Sequence, residues 1–348
     1  MSTMTDAGRE VTGGVDTHTD EHVAAVADAT GRILATKAFP ATAASYRALL
    51  AWMRRHGMVS RVGVEGTGAY GAGLARFLTS AGVEVIEVDR PDRRLRRSCG
   101  KTDIIDAEHA ARAVLSGEAT GTPKSRDGSV ECIRALRVVR RSAVAARTTV
   151  GNQLTNLVLT APEELRSELR GLSTLKLVTV TAAFRPTAPT TVTAATKYAM
   201  REAARRHQAL TAEVTRLDAA IAPLVSAAAP ELMAVKGVGV SVAAALLVTA
   251  GDNSSRLNSE ASFAHLCGVA PLPASSGRTT RHRLNRGGDR QANNALWRTA
   301  MVRMSYDPDT RAYVERRTKE GLSKREILRC LKRYIAREIF TALPATST

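Results

Sequence analysis

The chain has 348 residues, 44% of them hydrophobic, which is enough apolar material for two domains or one large one and too much for a disordered chain. Fifty Lys and Arg against 33 Asp and Glu leave a net charge of +17, so the expected partner is a polyanion, nucleic acid first and an anionic membrane surface second. No apolar run reaches the ~18 residues of a membrane span, and residues 1–6 carry no signal-peptide pattern, so the expected location is cytoplasmic and nucleoid-associated. Cys99, Cys132, Cys267 and Cys330 are too scattered for a Cys-x-x-Cys pair or a zinc spacing and read as reduced thiols.

Residues 11–15 read as a short, apolar, glycine-rich strand ending at Asp16. Strands over 23–27 and 33–39 follow, joined by the turn Asp28-Ala29-Thr30-Gly31, and complete a three-strand meander. Tyr46, Leu49, Leu50 and Met53 recur at helical spacing over 43–56 until Gly57 stops them, and 59–64 is the next strand, ending at Glu65. A helix over 69–80 leads through Gly82 into a strand over 83–88. The cationic run Arg90, Arg93, Arg94, Arg96, Arg97 and Lys101 then feeds a helix over 101–114. The order βββ-α-β-α-β-α is the series of a ribonuclease-H-like domain, and the expected fold class is this α/β domain followed by mostly α structure.

Asp103 and Asp106 stand three apart, so both carboxylates leave the same face of one helix's first turn. Two close carboxylates repel each other, and a divalent cation is the usual counter-ion where oxygen ligands converge. Helix capping explains the same pair equally well, because Asp near an N-terminus complements the helix dipole. Asp16 and Glu65 end strands, and ligands gather at the carboxyl ends of strands in open α/β sheets, which lets all four carboxylates converge. Two ions about 3.5–4 Å apart, bridged by such groups, hold a scissile phosphodiester and activate a nucleophile. Mg²⁺ is the expected ion because it prefers oxygen ligands. Asp20 and Glu21 read as solvent-facing.

Residues 130–159 interleave Arg134, Arg137, Arg140, Arg141 and Arg147 with Ala, Val and Leu, and read as one long basic helix. The pattern over 165–180 is weaker, 184–195 reads as a loop, and helix resumes over 196–225. Two such helices suit an antiparallel coiled coil and an RNA-binding or dimerising arm, or simply a solvated charged face. From Glu231 onward, a hydrophobic helix, a turn at Gly237 and Gly239, and a small-residue helix resemble a helix-hairpin-helix. There Lys236, Gly237 and Gly239 are candidates to meet a phosphate; a plain turn between packed helices is the other reading.

Farther on, Ala274-Ser275-Ser276-Gly277-Arg278 precedes a run of guanidinium groups at Arg281, Arg283, Arg286 and Arg290. A serine among arginines that neutralise phosphoryl oxygens is a candidate nucleophile, although most Ser-Gly pairs are turns. Residues 293–341 read as largely helical and basic, broken at Tyr306-Asp307-Pro308-Asp309 and again near Gly321, where Ser323 is the expected N-cap. Tyr306 lacks the His/Arg constellation of a tyrosine recombinase and reads as a packing residue.

Gly14-Val15-Asp16-Thr17-His18, Val64-Glu65-Gly66-Thr67-Gly68-Ala69-Tyr70 and Lys101-Thr102-Asp103-Ile104-Ile105-Asp106-Ala107 together resemble the RuvC-like domain of DEDD-type insertion-sequence transposases, the bridge-RNA-guided recombinases. The resemblance implies that Asp16, Glu65, Asp103 and Asp106 form a metal-binding tetrad. Residues 261–290 resemble the C-terminal domain of the same family, which implies that Ser276, with Ser275 as the near alternative, attacks DNA and forms a phosphoserine link. Here Asn285-Arg286-Gly287-Gly288-Asp289 stands where the family shows Lys-x-Gly-Asn or Lys-x-Gly-Asp. The implied organisation is a RuvC-like domain over 10–125, a helical coiled-coil region over 126–229 and a transposase domain over 230–345. The implied partners are donor and target DNA, a guide RNA and further copies of the chain, as a dimer or tetramer. Arg97, Lys101, Lys236, Gly237, Gly239, Arg278 and Arg286 are the nucleic-acid-binding candidates. Three rivals share parts of the pattern. An actin-like ATPase would need a second copy of the domain; a Holliday-junction resolvase would use the four carboxylates with water as nucleophile; a non-catalytic nucleic-acid-binding protein would rest on charge alone.

Overall fold

A computed structural model describes residues 9–88, 102–278 and 282–344. Arg97 and Lys101, with the rest of the cationic run, lie outside them. The described residues form two compact units, one made of 9–128 with Ala250–Asn258, the other of Ser129–Thr249 with 259–344.

The first unit is built on a mixed five-stranded sheet. Strands β1 (Glu10–Thr17), β2 (Glu21–Asp28) and β3 (Ile33–Pro40) are antiparallel neighbours, while β4 (Met58–Glu65) runs parallel to β1 and β5 (Glu84–Val88) parallel to β4. The resulting order is β3-β2-β1-β4-β5. β1 and β2 are buried almost throughout, which is why their residues are small or branched rather than alternating with polar ones. Helices α1 (Ala43–Arg54) and α2 (Ala72–Ser80) supply Leu49, Met53, Leu74 and Leu78 to a core that includes Val11, Val15, Val62 and Val64. The second helix starts at Ala72, later than its spacing predicts. Gly66, at φ +74°, turns the chain out of β4, and its carbonyl accepts from the Ala69 and Gly71 amides before the helix begins. Asn253 ties the Ala250–Asn258 segment to this unit, donating to the Pro123 carbonyl at 2.9 Å and accepting from the Ser125 amide at 3.0 Å.

Helix α3 (Asp103–Leu115) packs on β1, β2 and β4 through Ala107, Ala110, Ala111 and Val114. Glycines let it come that close. A Cβ on Gly14 would lie 2.2 Å from both the Ala107 carbonyl oxygen and the Ala111 nitrogen, and one on Gly63 would lie 2.6 Å from the Ala110 carbonyl oxygen. Because the obstacle is backbone, no rotamer change relieves it. Gly14→Val is therefore expected to destabilise the first unit by at least about 3 kcal/mol in denaturant unfolding, the upper end of overpacking costs. Gly68→Ala, whose Cβ would meet nothing nearer than 3.7 Å, serves as the near-neutral control.

The second unit is helical. Helices α4 (Ser129–Leu159) and α7 (Val192–Ala228) pack side by side. Arg140 pairs with Asp218 near one end of the contact and Arg206 donates to Gln153 at 2.7 Å farther along, so the helices run antiparallel. The weak stretch between them is two helices, α5 (Glu163–Leu169) and α6 (Thr174–Ala182), separated at Gly171 (φ +82°). They pack Leu165 and Leu177 against Leu154, Val158 and Met200. Helix α7 begins before its expected start at 196 because the Thr191 hydroxyl caps it, accepting from the Ala194 amide at 3.2 Å.

Next come α8 (Pro230–Ala234), a turn with Gly237 at φ +76°, and the hydrophobic α9 (Val240–Ala250). Helix α10 (Glu260–Leu266) leads into a hairpin of β6 (Pro271–Pro273) and β7 (His282–Leu284). Helices α11 (Arg290–Tyr306), α12 (Pro308–Lys319) and α13 (Lys324–Thr341) close the unit, the last with a full capping box between Ser323 and Glu326. Among the described residues no helix is long and apolar enough to cross a membrane.

Candidate metal centre

The parallel register of β1 and β4 pairs Val15 with Val64, so Asp16 and Glu65 follow side by side at the carboxyl end of the sheet. The Thr17 hydroxyl donates to the Glu65 carbonyl at 2.7 Å and ties the two strand ends together. Helix α3, seated on Gly14 and Gly63, brings its first turn to the same end. Its cap is Thr102, whose hydroxyl accepts from the Ile105 amide at 3.3 Å. Thr102 thus supplies the side-chain cap, Asp103 and Asp106 lie in the first turn where acids complement the helix dipole, and Asp106 is buried, at 5% exposure.

Asp16 and Glu65 are also buried, at 5% and 8% exposure. The His18 Nε2 lies 3.1 Å from Asp16 Oδ2 and 3.2 Å from Asp103 Oδ1, and one donor atom from each of these three residues falls within 4.8 Å of the others. Burial pushes the Asp16 carboxyl above its ordinary pKa. The neighbouring His18 opposes that shift, while the charges of Asp106 and Asp103 add to it. Asp16 and Asp103 thus come together directly, Asp106 lies within electrostatic reach of Asp16, and Glu65 is the strand neighbour of Asp16 outside the three-donor cluster. His18 was not among the residues expected here. The available signal was its place two residues after Asp16, since alternate residues of an extended chain share a face.

These donors fit a divalent cation. Buried, mutually repelling carboxylates are costly without a positive counterpart, and oxygen-rich clusters with one imidazole are common metal environments.

In the second unit Ser276 is exposed, between β6 and β7, and is followed by Gly277 at φ +54°. Arg278 and Arg286 are exposed as well. The Asn285–Asp289 element serves the fold. Asn285 donates to the His265 carbonyl at 2.8 Å, a Cβ on Gly288 would lie 2.2 Å from the Gly268 nitrogen, and Asp289 caps α11 through the Gln291 and Ala292 amides. Lys236 is engaged within the protein: its Nζ lies 3.2 Å from Asp307 Oδ1, so its ammonium already has an anion. Gly237 packs near Thr299 and Arg303, while Gly239 faces open space.

Residues 13–161 match the DEDD transposase profile of IS110 type, described as a transposase, and residues 229–315 match the profile described as transposase IS116/IS110/IS902 family. The insertion element IS110 uncharacterized 43.6 kDa protein of Streptomyces coelicolor is 38% identical over 116 residues. That alignment covers 33% of this chain and 28% of the relative, so the chain spans little more than a quarter of the length of the curated relative it matches. Both profiles belong to one family and match in order over more than half of the chain, the first across the strand and helix ends that carry the carboxylates, and the chain therefore belongs to the IS110 family of insertion-sequence transposases.

Proposed function

We propose that the protein is a DNA recombinase of an insertion sequence that cuts and rejoins strands through a covalent phosphoserine intermediate, guided by a non-coding RNA. The observation that carries this reading is the convergence of Asp16, His18 and Asp103 beside buried Asp106 and Glu65, in a chain of net charge +17. The sheet order β3-β2-β1-β4-β5, with α3 laid across its centre, supports a RuvC-like reading of the first unit.

Asp16, Glu65, Asp103 and Asp106 would hold Mg²⁺, with His18 bridging two of the carboxylates or serving as a further ligand. When bound there, the ion supplies charge neutralisation for a phosphodiester. The Ser276 hydroxyl attacks the scissile phosphorus: the bond from Ser276 Oγ to phosphorus forms, the bond from phosphorus to the 3′ oxygen breaks, and the proton leaves with the 3′ hydroxyl. Arg278 offsets the charge on the phosphoryl oxygens. Attack of a new 3′ hydroxyl on the phosphoserine reverses the step, and because one phosphodiester replaces another, no high-energy cofactor is consumed. The reading requires the carboxylates and the serine to act on one DNA strand, within a homo-oligomer of two or four chains.

The test is denaturing electrophoresis of the purified protein incubated with Mg²⁺, guide RNA and end-labelled donor DNA. A slow band that protease converts to free DNA is the expected result. Cut DNA with no such band, even under trapping conditions, would replace the serine mechanism with hydrolysis of the resolvase type.

A further inference from the structure

The four arginines Arg137, Arg140, Arg141 and Arg298 meet on one small cleft of the second unit. The cleft, of about 110 Å³, is formed by α4, the start of α9 and α11, and Ser241, Gln291 and Asn294 complete its polar lining. Arg137 and Arg141 are four apart, so they share a face of α4, and Arg298 comes from a helix far along the chain. Every polar side chain of this lining can donate a hydrogen bond, and none is a carboxylate.

The charge is only partly compensated within the fold. Arg140 pairs with Asp218 through both carboxylate oxygens. Arg137 donates to the Ser241 carbonyl at 2.9 Å and Arg298 comes within 3.5 Å of the Ser241 hydroxyl, but neither these two nor Arg141 has an ion pair among the described residues. The other nearby acid, Asp289, is occupied as the cap of α11. Burial pushes the Arg137 guanidinium below its ordinary pKa, Arg140, Arg141 and Arg298 add to that shift, and Asp289 opposes it.

We propose that this cleft binds a backbone phosphodiester of nucleic acid, held by Arg137, Arg141 and Arg298. A phosphate's two free oxygens suit paired guanidinium donors, and α9 begins at the cleft, so its dipole adds to the positive potential. The inference rests on the nucleic-acid reading of the protein but uses neither the carboxylates nor Ser276, so it stands or falls apart from the covalent mechanism.

The experiment is the salt dependence of binding of the full chain to a random-sequence DNA duplex and, separately, to a stem-loop RNA. Arg141→Gln with Arg298→Gln is compared with Arg170→Gln plus Arg185→Gln, an exposed pair of the same unit that removes the same charge. The cleft variant is expected to flatten the slope of log affinity against log salt by about one to two, and the control by less than half of that. Arg298→Gln alone should give part of the change and guards against a fold defect in the double variant. A loss on DNA alone assigns the cleft to the DNA backbone, and a loss on RNA alone assigns it to RNA; either supports the proposal. Equal flattening by both double variants, or a wild-type slope on both nucleic acids for the cleft variant, overturns it.

Discussion

Ser276→Ala is expected to yield no protein–DNA adduct at all, and Ser275→Ala to keep most of it. The two hydroxyls are adjacent in sequence, both residues are exposed, and Ser276 is the one that directly precedes Gly277. Gly277 follows at φ +54°, a left-handed conformation that ends the extended segment directly after Ser276. Removing a nucleophile leaves only the background reaction, so strand cutting should fall by about 10³-fold or more. The gel that scores the wild-type adduct reads both variants. An adduct retained by Ser276→Ala and lost in Ser275→Ala would move the assignment one residue back, and adducts in both would remove this pair from the chemistry.

Periodicity and turn residues locate all five strands of the first unit, because β1, β2 and most of β4 are buried and carry a dense apolar signal, while the largely exposed β3 is marked by the turn before it and by Pro40 at its end. What the pattern conceals is why particular small residues are there. Gly14 and Gly63 read as features of glycine-rich strands, and only the packed helix shows that they are the seats on which α3 brings Asp103 and Asp106 to the site. The metal and capping readings of those two carboxylates are equal in the sequence; Thr102 takes the side-chain cap itself, while both acids still lie in the first turn, where they complement the helix dipole. His18 carries no distinctive sequence signal, because a lone histidine after a strand has many uses; its value comes from Asp103, which approaches from a helix 85 residues away in the chain. Lys236 is a second case: its place beside a glycine turn suggests a phosphate, and the fold adds Asp307, from the junction of α11 and α12, as an ion-pair partner of a side chain that stays 62% exposed. Such long-range pairings leave no local mark, so charge counted along the sequence overstates how much of it is free for a ligand.

Asp16→Asn and Asp106→Asn are each expected to reduce Mg²⁺-dependent strand cutting by about 10³-fold or more, and at the same time to leave the metal-free first unit as stable as the wild type or more so. The two effects have one cause. Burial and the charges of Asp106 and Asp103 raise the Asp16 pKa, so the unliganded cluster carries an electrostatic penalty that an amide at either buried position relieves. A cation bound only by the folded state stabilises it by RT ln(1 + [L]/Kd), about 2.7 kcal/mol at a hundredfold excess over Kd. Wild-type protein should therefore melt higher with Mg²⁺ or Mn²⁺ than without, and Asp16→Asn should lose that difference while keeping its metal-free melting temperature. Asp103, whose side chain is 49% exposed, should behave differently. Its amide variant is expected to gain little stability without metal, because solvent already screens that charge, yet to lose part of the metal-induced shift because its oxygen belongs to the converging set. A melting shift that survives Asp16→Asn unchanged would place the cation elsewhere and withdraw the tetrad, whereas a lost shift with unimpaired cutting would separate the metal centre from the chemistry.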